Sequence, residues 1–245
     1  MSISKKEISF LSSLSHKKYR DEAGVFVVEG EKMVEEALRS GFTVDNVYRR
    51  DEIGEAAMAR ISSLTSPSPV LAVVRKPDGL GIAEPAAPQR GLFLALDGIR
   101  DPGNLGTILR IADWFGVDAV YASEDSVDLF NPKVVQATMG AIFRVRFHYT
   151  GIPALCRSFR TSGGHVYGTF LDGEDMYGME LDPGRDRPSL IIVGNESNGI
   201  SASVASEVTD RLFIPPYPPD DPGSESLNAA VATALTVAEF RRRGR

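Results

Sequence analysis

Three short segments of this 245-residue chain gather residue types that could do chemistry. In DPGNLGTILRIADWFG, residues 101–116, Asn104 and Arg110 stand among glycines at 103 and 106. Leu105, Ile108, Leu109, Ala112 and Phe115 recur at helical spacing, which leaves Arg110 with Gly106, Thr107 and Asp113 on the side away from the apolar stripe. The glycines allow a ligand or another backbone to approach closely. Taken alone, Asn104 reads equally as a helix cap and Arg110 as a surface cation. In LIIVGNESNGIS, residues 190–201, an apolar strand ends at Gly194 and a polar loop follows. The outline is that of a dinucleotide-binding G-x-G-x-x-G turn, but Glu196 stands where the middle glycine belongs. A carboxylate there repels a pyrophosphate, so the loop suits a ligand without phosphates or one bearing positive charge. In FIPPYPPDDPGSESLNAAVATAL, residues 213–235, a proline-rich loop leads through Ser224, Glu225, Ser226, Leu227 and Asn228 into a final helix. Ser224 or Ser226 fits as its cap, and Ala229, Ala230 and Ala232 let something pack close to its first turns.

All three segments sit at the ends of candidate strands. Before residue 75 the pattern predicts a compact α/β unit: a basic helix over 4–20, a strand at 25–28, and a helix over 31–39 closed by Gly41. A strand at 44–48, a helix over 52–64 and a strand at 70–74 complete it. Residues 75–91, RKPDGLGIAEPAAPQRG, lack periodicity and read as a linker. Beyond it, strands are predicted at 92–96, 119–122, 144–147, 165–170, 190–193 and 211–214. Helices over 104–116, 131–142, 152–162 and 201–208 alternate with them, and a last helix spans 225–243 with Leu227, Val231, Ala234, Leu235 and Ala238 as its apolar stripe. That alternation predicts a largely parallel sheet covered on both faces, and such sheets bind ligands outside the carboxyl ends of their strands.

Composition narrows the function classes. A hydrophobic share of 42% and a charged share of 24% suit a globular chain. No apolar run has the roughly 18 residues of a membrane span, and the N-terminal segment has no apolar signal core, so a cytoplasmic protein is expected. The single cysteine, Cys156, excludes an internal disulfide and reads as part of a buried helix face. His16, His148 and His165 lack metal-ligand spacing, so no metal site is expected. The net charge of −6 argues against a general nucleic-acid coat. Two basic clusters remain, Lys5, Lys6, Lys17, Lys18 and Arg20 at one end and Arg241, Arg242, Arg243 and Arg245 at the other; each is either a phosphate-binding patch or a solvated terminus.

In their order and separation, DPGNLGTILRIADWFG, IIVGNESNGIS and IP…ESLNAAVA resemble the three motifs of the SpoU (TrmH-like) RNA ribose methyltransferases of the SPOUT superfamily. The intervening DLFNPKVVQATMGAIFRV is similar to that family too, and residues 25–75 look like the small L30e-like domain that often precedes it. The resemblance implies an L30e-like RNA-binding domain at 1–75, a linker at 76–91 and a SpoU catalytic domain at 92–245 whose C-terminal segment forms a trefoil knot. It implies transfer of a methyl group from S-adenosylmethionine to a ribose 2′-hydroxyl of structured RNA, with ribosomal RNA ahead of transfer RNA, by a homodimer. Carried over by motif, Arg110 and Asn104 belong to the catalytic set, joined by Glu196, Ser226 and Asn228, and the cofactor loops are those of Gly194, Ile214 and Leu227. A sulfonium cofactor without phosphates needs no phosphate-binding glycine, which agrees with Glu196. One departure stands out: PYPPDDPGSE, with Asp220 and Asp221, is longer than the family's usual loop, which leaves the cofactor contacts of 216–224 undefined. Two other classes stand beside this reading, an RNA-binding member of the fold without turnover and a Rossmann-type oxidoreductase. The retained Asn104, Arg110, Glu196, Ser226 and Asn228 oppose the first, and the missing central glycine opposes the second.

Overall fold

The computed structural model describes residues 3–77, 88–218 and 225–244. They form two compact units. One comprises the described residues up to 77 together with 128–144, and the other comprises 88–127 with the described residues from 145 to 244.

The first unit begins with α1 (Lys5–Ser13) and α2 (Lys17–Ala23), where the sequence predicts one continuous helix. The break has a local cause. The hydroxyls of Ser13 and Ser15 donate to the carbonyls of Phe10 and Ser12, and the guanidinium of Arg20 donates to the carbonyls of Leu14 and Ser15 at 2.8 Å each. β1 (Val25–Glu29), α3 (Glu31–Arg39) and β2 (Val44–Arg49) come next, as predicted. The predicted helix over 52–64 is instead α4 (Arg50–Ile53) and α5 (Glu55–Ile61), divided at Gly54, whose φ of +85° lies outside helical space. β3 (Val70–Arg75) lies between β1 and β2 and pairs antiparallel with both.

The second unit starts with β4 (Gly91–Asp97), α6 (Pro102–Trp114) and β5 (Ala119–Ala122). The chain then enters the first unit through α7 (Pro132–Thr138) and the short turn Ala141–Phe143, which together replace the helix predicted over 131–142, while the strand predicted at 144–147 begins only at Phe147. There Phe143 packs against Phe42, and Phe130 against Phe26. The second unit resumes with β6 (Phe147–Tyr149), α8 (Ile152–Thr161), β7 (His165–Asp175), β8 (Pro188–Gly194), α9 (Ala202–Ala205), β9 (Asp210–Phe213) and α10 (Ala229–Arg243). Its six strands are ordered β6-β5-β4-β8-β7-β9, and every pair is parallel, as the alternation predicts.

Leu92 through Leu96 are all buried, and so are Leu190 through Val193, because strands covered on both faces need apolar side chains at every position. One face packs Phe93, Ala95, Leu190 and Ile192 against Ile152, Leu155, Cys156 and Phe159 of α8. Burial there pushes the Cys156 thiol up to about 12, so it is an inert core residue. α6 and α10 pack together, and α10 also packs on β8.

Candidate active site

α6 begins at Asp101, whose carboxylate accepts from the backbone N–H of Asn104 at 2.8 Å, with Pro102 at the first helical position. Asp101 is therefore the cap, which corrects the cap reading of Asn104 and frees the Asn104 side chain. α10 is capped by Asn228, whose Oδ1 accepts from the N–H groups of Ala230 and Val231 at 3.0 and 3.3 Å. That corrects the assignment of the cap to Ser226, which is exposed two residues earlier; Ser224 lies outside the described residues.

The capping bond orients the whole Asn228 amide. With Oδ1 of Asn228 turned to the helix, its Nδ2 faces out and donates to Oδ1 of Asn104 at 2.9 Å. The remaining donor of Asn104, Nδ2, then donates to Oε1 of Glu196. Each amide orientation is forced by the one before it. The chain Glu196–Asn104–Asn228 thus ties together all three segments singled out by sequence, across separations of 92 and 124 residues. It lies at the carboxyl edge of the parallel sheet, where β4 ends at Asp97 opposite Gly194 of β8.

Arg110 is not part of this chain. It is exposed on α6, six residues beyond Asn104, which is about 9 Å along the axis. Gly106, predicted on the same side as Arg110, is buried instead. Gly103 is exposed, and a Cβ added there would meet only the capping carboxylate of Asp101, at 3.0 Å. A Cβ at Gly194 would collide with the carbonyl carbon of Gly199, so this glycine is required by its own returning loop. Ile214 follows β9, and Leu227, 46% exposed, precedes α10. Sequence reasoning overlooked Asn195. Its Nδ2 donates to the carbonyl of Gly98 at 2.7 Å while its Oδ1 accepts from Ser197 and Asn198, locking the Glu196 loop to the loop after β4. A polar residue directly after a buried strand was the available signal.

The described parts of the segments expected to form the cofactor loops, 194–198, 213–218 and 225–228, carry Glu196 and Glu225 and no lysine or arginine. Such a donor set fits a sulfonium ligand without phosphates. Residues 219–224, with Asp220 and Asp221, and most of the predicted linker, 78–87, lie outside the described residues. Among the described residues no group of three or more His, Cys, Asp or Glu side chains could hold a metal ion, and no helix is long and apolar enough to cross a membrane.

The two basic clusters diverge from their sequence reading. Lys5, Lys6, Lys17 and Lys18 are exposed. Arg20 is 2% exposed and pairs with Asp128 at 2.7 Å, so it is a structural residue and leaves the patch. At the other end Arg241 donates to the carbonyls of Phe115 and Gly116, and Arg243 to those of Met176, Tyr177 and Met179. Arg242 and Arg243 both bond Glu239, and these bonds, that of Arg242 first, hold its carboxyl down to about 2. Arg245 lies outside the described residues. The predicted apolar stripe of α10 is also displaced: Leu227, Val231 and Leu235 are 46, 48 and 39% exposed, while Thr233, Thr236, Val237 and Phe240 are buried.

The SpoU rRNA methylase family model matches residues 91–238, and a model of the MRM3-like substrate binding domain matches residues 5–66. The chain is 32% identical to the 23S rRNA (guanosine(2553)-2′-O)-methyltransferase RlmP of Bacillus subtilis, over 93% of each chain. A TrmH-family structure from Porphyromonas gingivalis superposes with a TM-score of 0.86 at 40% identity, covering 99% of this chain and 100% of that one. An AdoMet-bound rRNA methyltransferase from Sinorhizobium meliloti superposes at 0.85 with 27% identity, covering 99% and 97%.

Proposed function

The chain belongs to the SpoU rRNA methylase family, and on that premise we propose that it transfers a methyl group from S-adenosylmethionine to a ribose 2′-hydroxyl of structured RNA, ribosomal RNA foremost. The observation that carries this reading is the Glu196–Asn104–Asn228 chain, which joins the three motif segments at the carboxyl edge of the sheet. When bound, the cofactor supplies an electrophilic methyl carbon on a sulfonium. The loops of Gly194, Ile214 and Leu227 are the segments that hold it.

The protein's own task is to place the hydroxyl and to stabilise the charge that grows as its proton passes to water. A guanidinium is a poor base, so Arg110 orients the hydroxyl and a neighbouring phosphate and offsets that charge. Glu196, Asn104 and Asn228 fix the relative positions of the three loops, and Ser226 lies exposed beside them. Residues 1–75 serve as the RNA-docking domain through Lys5, Lys6, Lys17 and Lys18, residues 92–245 as the catalytic domain, and 76–91 as the link. The working form is a cytoplasmic homodimer. Supporting a dimer, Trp114 of α6 is 85% exposed, and Leu227 before α10 and Val231 and Leu235 on it are exposed as well, apolar side chains that a second copy would cover.

Mapping 2′-O-methyl sites in total RNA from cells with and without the protein tests the reading, alongside transfer of labelled methyl by the purified chain. One ribosomal position is expected to lose its methyl group. A loss confined to transfer RNA would move the substrate, and no loss anywhere would remove the reaction. Light scattering tests the dimer, which Leu235→Lys should dissociate.

A further inference from the structure

The loop between β4 and α6, residues 97–101, is tied down at every position but one. Asp97 accepts from the N–H of Ser201 at 2.7 Å. Gly98, held at a φ of +70°, donates its N–H to the Ser123 hydroxyl at 2.8 Å, and its carbonyl accepts from Asn195 at 2.7 Å. Ile99 is fully buried, and its carbonyl accepts from Val127 at 2.8 Å. Asp101 caps α6. Arg100 alone sends its side chain to solvent, 69% exposed, with one long contact of 3.4 Å to Asp125, itself 59% exposed. A rigid backbone therefore presents a guanidinium whose donors are mostly uncommitted.

Its electrostatic setting is one-sided. Among the described residues of segments 97–104, 123–127, 194–201, 213–218 and 225–228, which border this edge of the sheet, the carboxylates are Asp97, Asp101, Glu124, Asp125, Glu196 and Glu225. Arg100 is the only lysine or arginine in those segments. Within these segments a polyanion meets repulsion except at this residue, Arg110 lying beyond them on α6.

We propose that Arg100 is an RNA-positioning residue, exchanging its weak contact with Asp125 for a phosphate of the substrate strand next to the target ribose. The Ser123 hydroxyl donates to Asp125 at 2.7 Å and holds its carboxyl below the usual range, so the partner stays ionised and keeps the guanidinium at the edge until a phosphate displaces it. An exposed pair of this length contributes little stability, and the exchange is correspondingly easy. A phosphate offers the planar fork two parallel acceptors, which the single contact with Asp125 does not.

The inference rests on the RNA methyltransferase reading, so its test first establishes that reading. Ribosomal and transfer RNA from cells lacking the protein are each methylated with labelled S-adenosylmethionine at a series of salt concentrations. Wild-type protein that transfers no methyl group overturns the reading and this inference with it. Given wild-type transfer, Arg100→Ala is expected to raise KM for RNA about tenfold, with kcat at saturating RNA and cofactor affinity unchanged. One lost phosphate contact should reduce the slope of log affinity against log salt by about 0.7–0.9. Arg100→Lys should keep the slope while recovering only part of the KM, because it retains charge without the fork. An unchanged slope in Arg100→Ala overturns the proposal, and so does a fall in cofactor affinity equal to the rise in KM.

Discussion

α6 and α10 are joined at both ends, and the two junctions are built from different materials. At their N-terminal ends the link is a single file of hydrogen bonds, Asn228 to Asn104 to Glu196, between side chains that water reaches. At their C-terminal ends Arg241 takes two carbonyls after α6, and Arg243 takes three from the turn after β7 while both Arg242 and Arg243 bind Glu239. Since both ends meet, the helices run side by side in one direction. The charged, redundant end fixes the pair against the sheet. The single-file end, in which Glu196 is the only charged member, holds three loops in register and leaves donors and acceptors within reach of a substrate. Charge committed to structure at one end is charge withheld from RNA, which is why three C-terminal arginines that look like a phosphate patch are a clamp. The comparison predicts that changes at the open end cost rate and changes at the clamped end cost stability.

The largest effect is expected at Arg110. It is exposed, so Arg110→Ala removes no core packing and should leave the circular dichroism spectrum unaltered. Methyl transfer should fall about 10²-fold or more, the scale of one preorganised electrostatic donor, with cofactor affinity nearly unchanged and poor rescue by lysine. Wild-type turnover in this variant would take the arginine out of the mechanism.

At the clamped end, Arg243→Ala removes bonds to Met176, Tyr177, Met179 and Glu239 together. Unfolding by denaturant should show a loss of about 2–3 kcal/mol, the worth of charge-assisted bonds whose partners are then left short. Methyl transfer per folded molecule should stay near that of the wild type. A rate loss without a stability loss would erase the distinction between the two ends.

Asn104→Ala breaks both links of the single file. Because those bonds are exposed, stability should drop by about 1 kcal/mol or less, while the rate falls about tenfold, equivalent to about 1.4 kcal/mol of transition-state stabilisation. Asn104→Asp should be worse than alanine, since it sets a carboxylate against Glu196. Rates and denaturant midpoints for both variants decide the matter. Equal behaviour of the two would mean that Glu196 does not face this position in solution.

How much of this could be read in advance differs between the sheet and the site. The central strands were legible because burial on both faces leaves unbroken apolar runs, LFLAL and LIIV. The site residues were legible as three separate motifs, but their bonding was not. Residues 104, 196 and 228 carry no local signal of mutual contact, and a polar residue near a helix start reads as a cap until the true cap is known. Asp101 before Pro102 was the stronger start signal at α6. The α10 stripe was legible as apolar, but periodicity reveals a face without saying what covers it, and Leu227, Val231 and Leu235 are exposed. Arg20 and Arg243 show the same limit for charge: sequence counts cations, and only the fold shows which are already committed to carbonyls.

The smallest effect concerns pH and isolates the clamp from the site. Glu239 is buried at 6% exposure between Arg242 and Arg243, and its carboxyl is held down to about 2 from an ordinary value of 4.5. In the unfolded chain it takes up a proton as pH falls through 4.5, whereas in the folded chain it stays ionised until about 2. Its stabilisation is therefore complete above 4.5 and fades as pH drops towards 2. Other carboxylates titrate in the same window, so the quantity to measure is the difference in unfolding free energy between wild type and Glu239→Gln. At neutral pH that difference should be of order 1 kcal/mol, since the Arg242 partner is well exposed to solvent and to salt. It should shrink as the pH of the denaturant titration is lowered from about 5 towards about 3, and cofactor affinity measured at neutral pH should be the same in both proteins. A difference that stays constant across that range would mean that Glu239 gains nothing from its arginines and that the clamp is held by the carbonyl bonds alone.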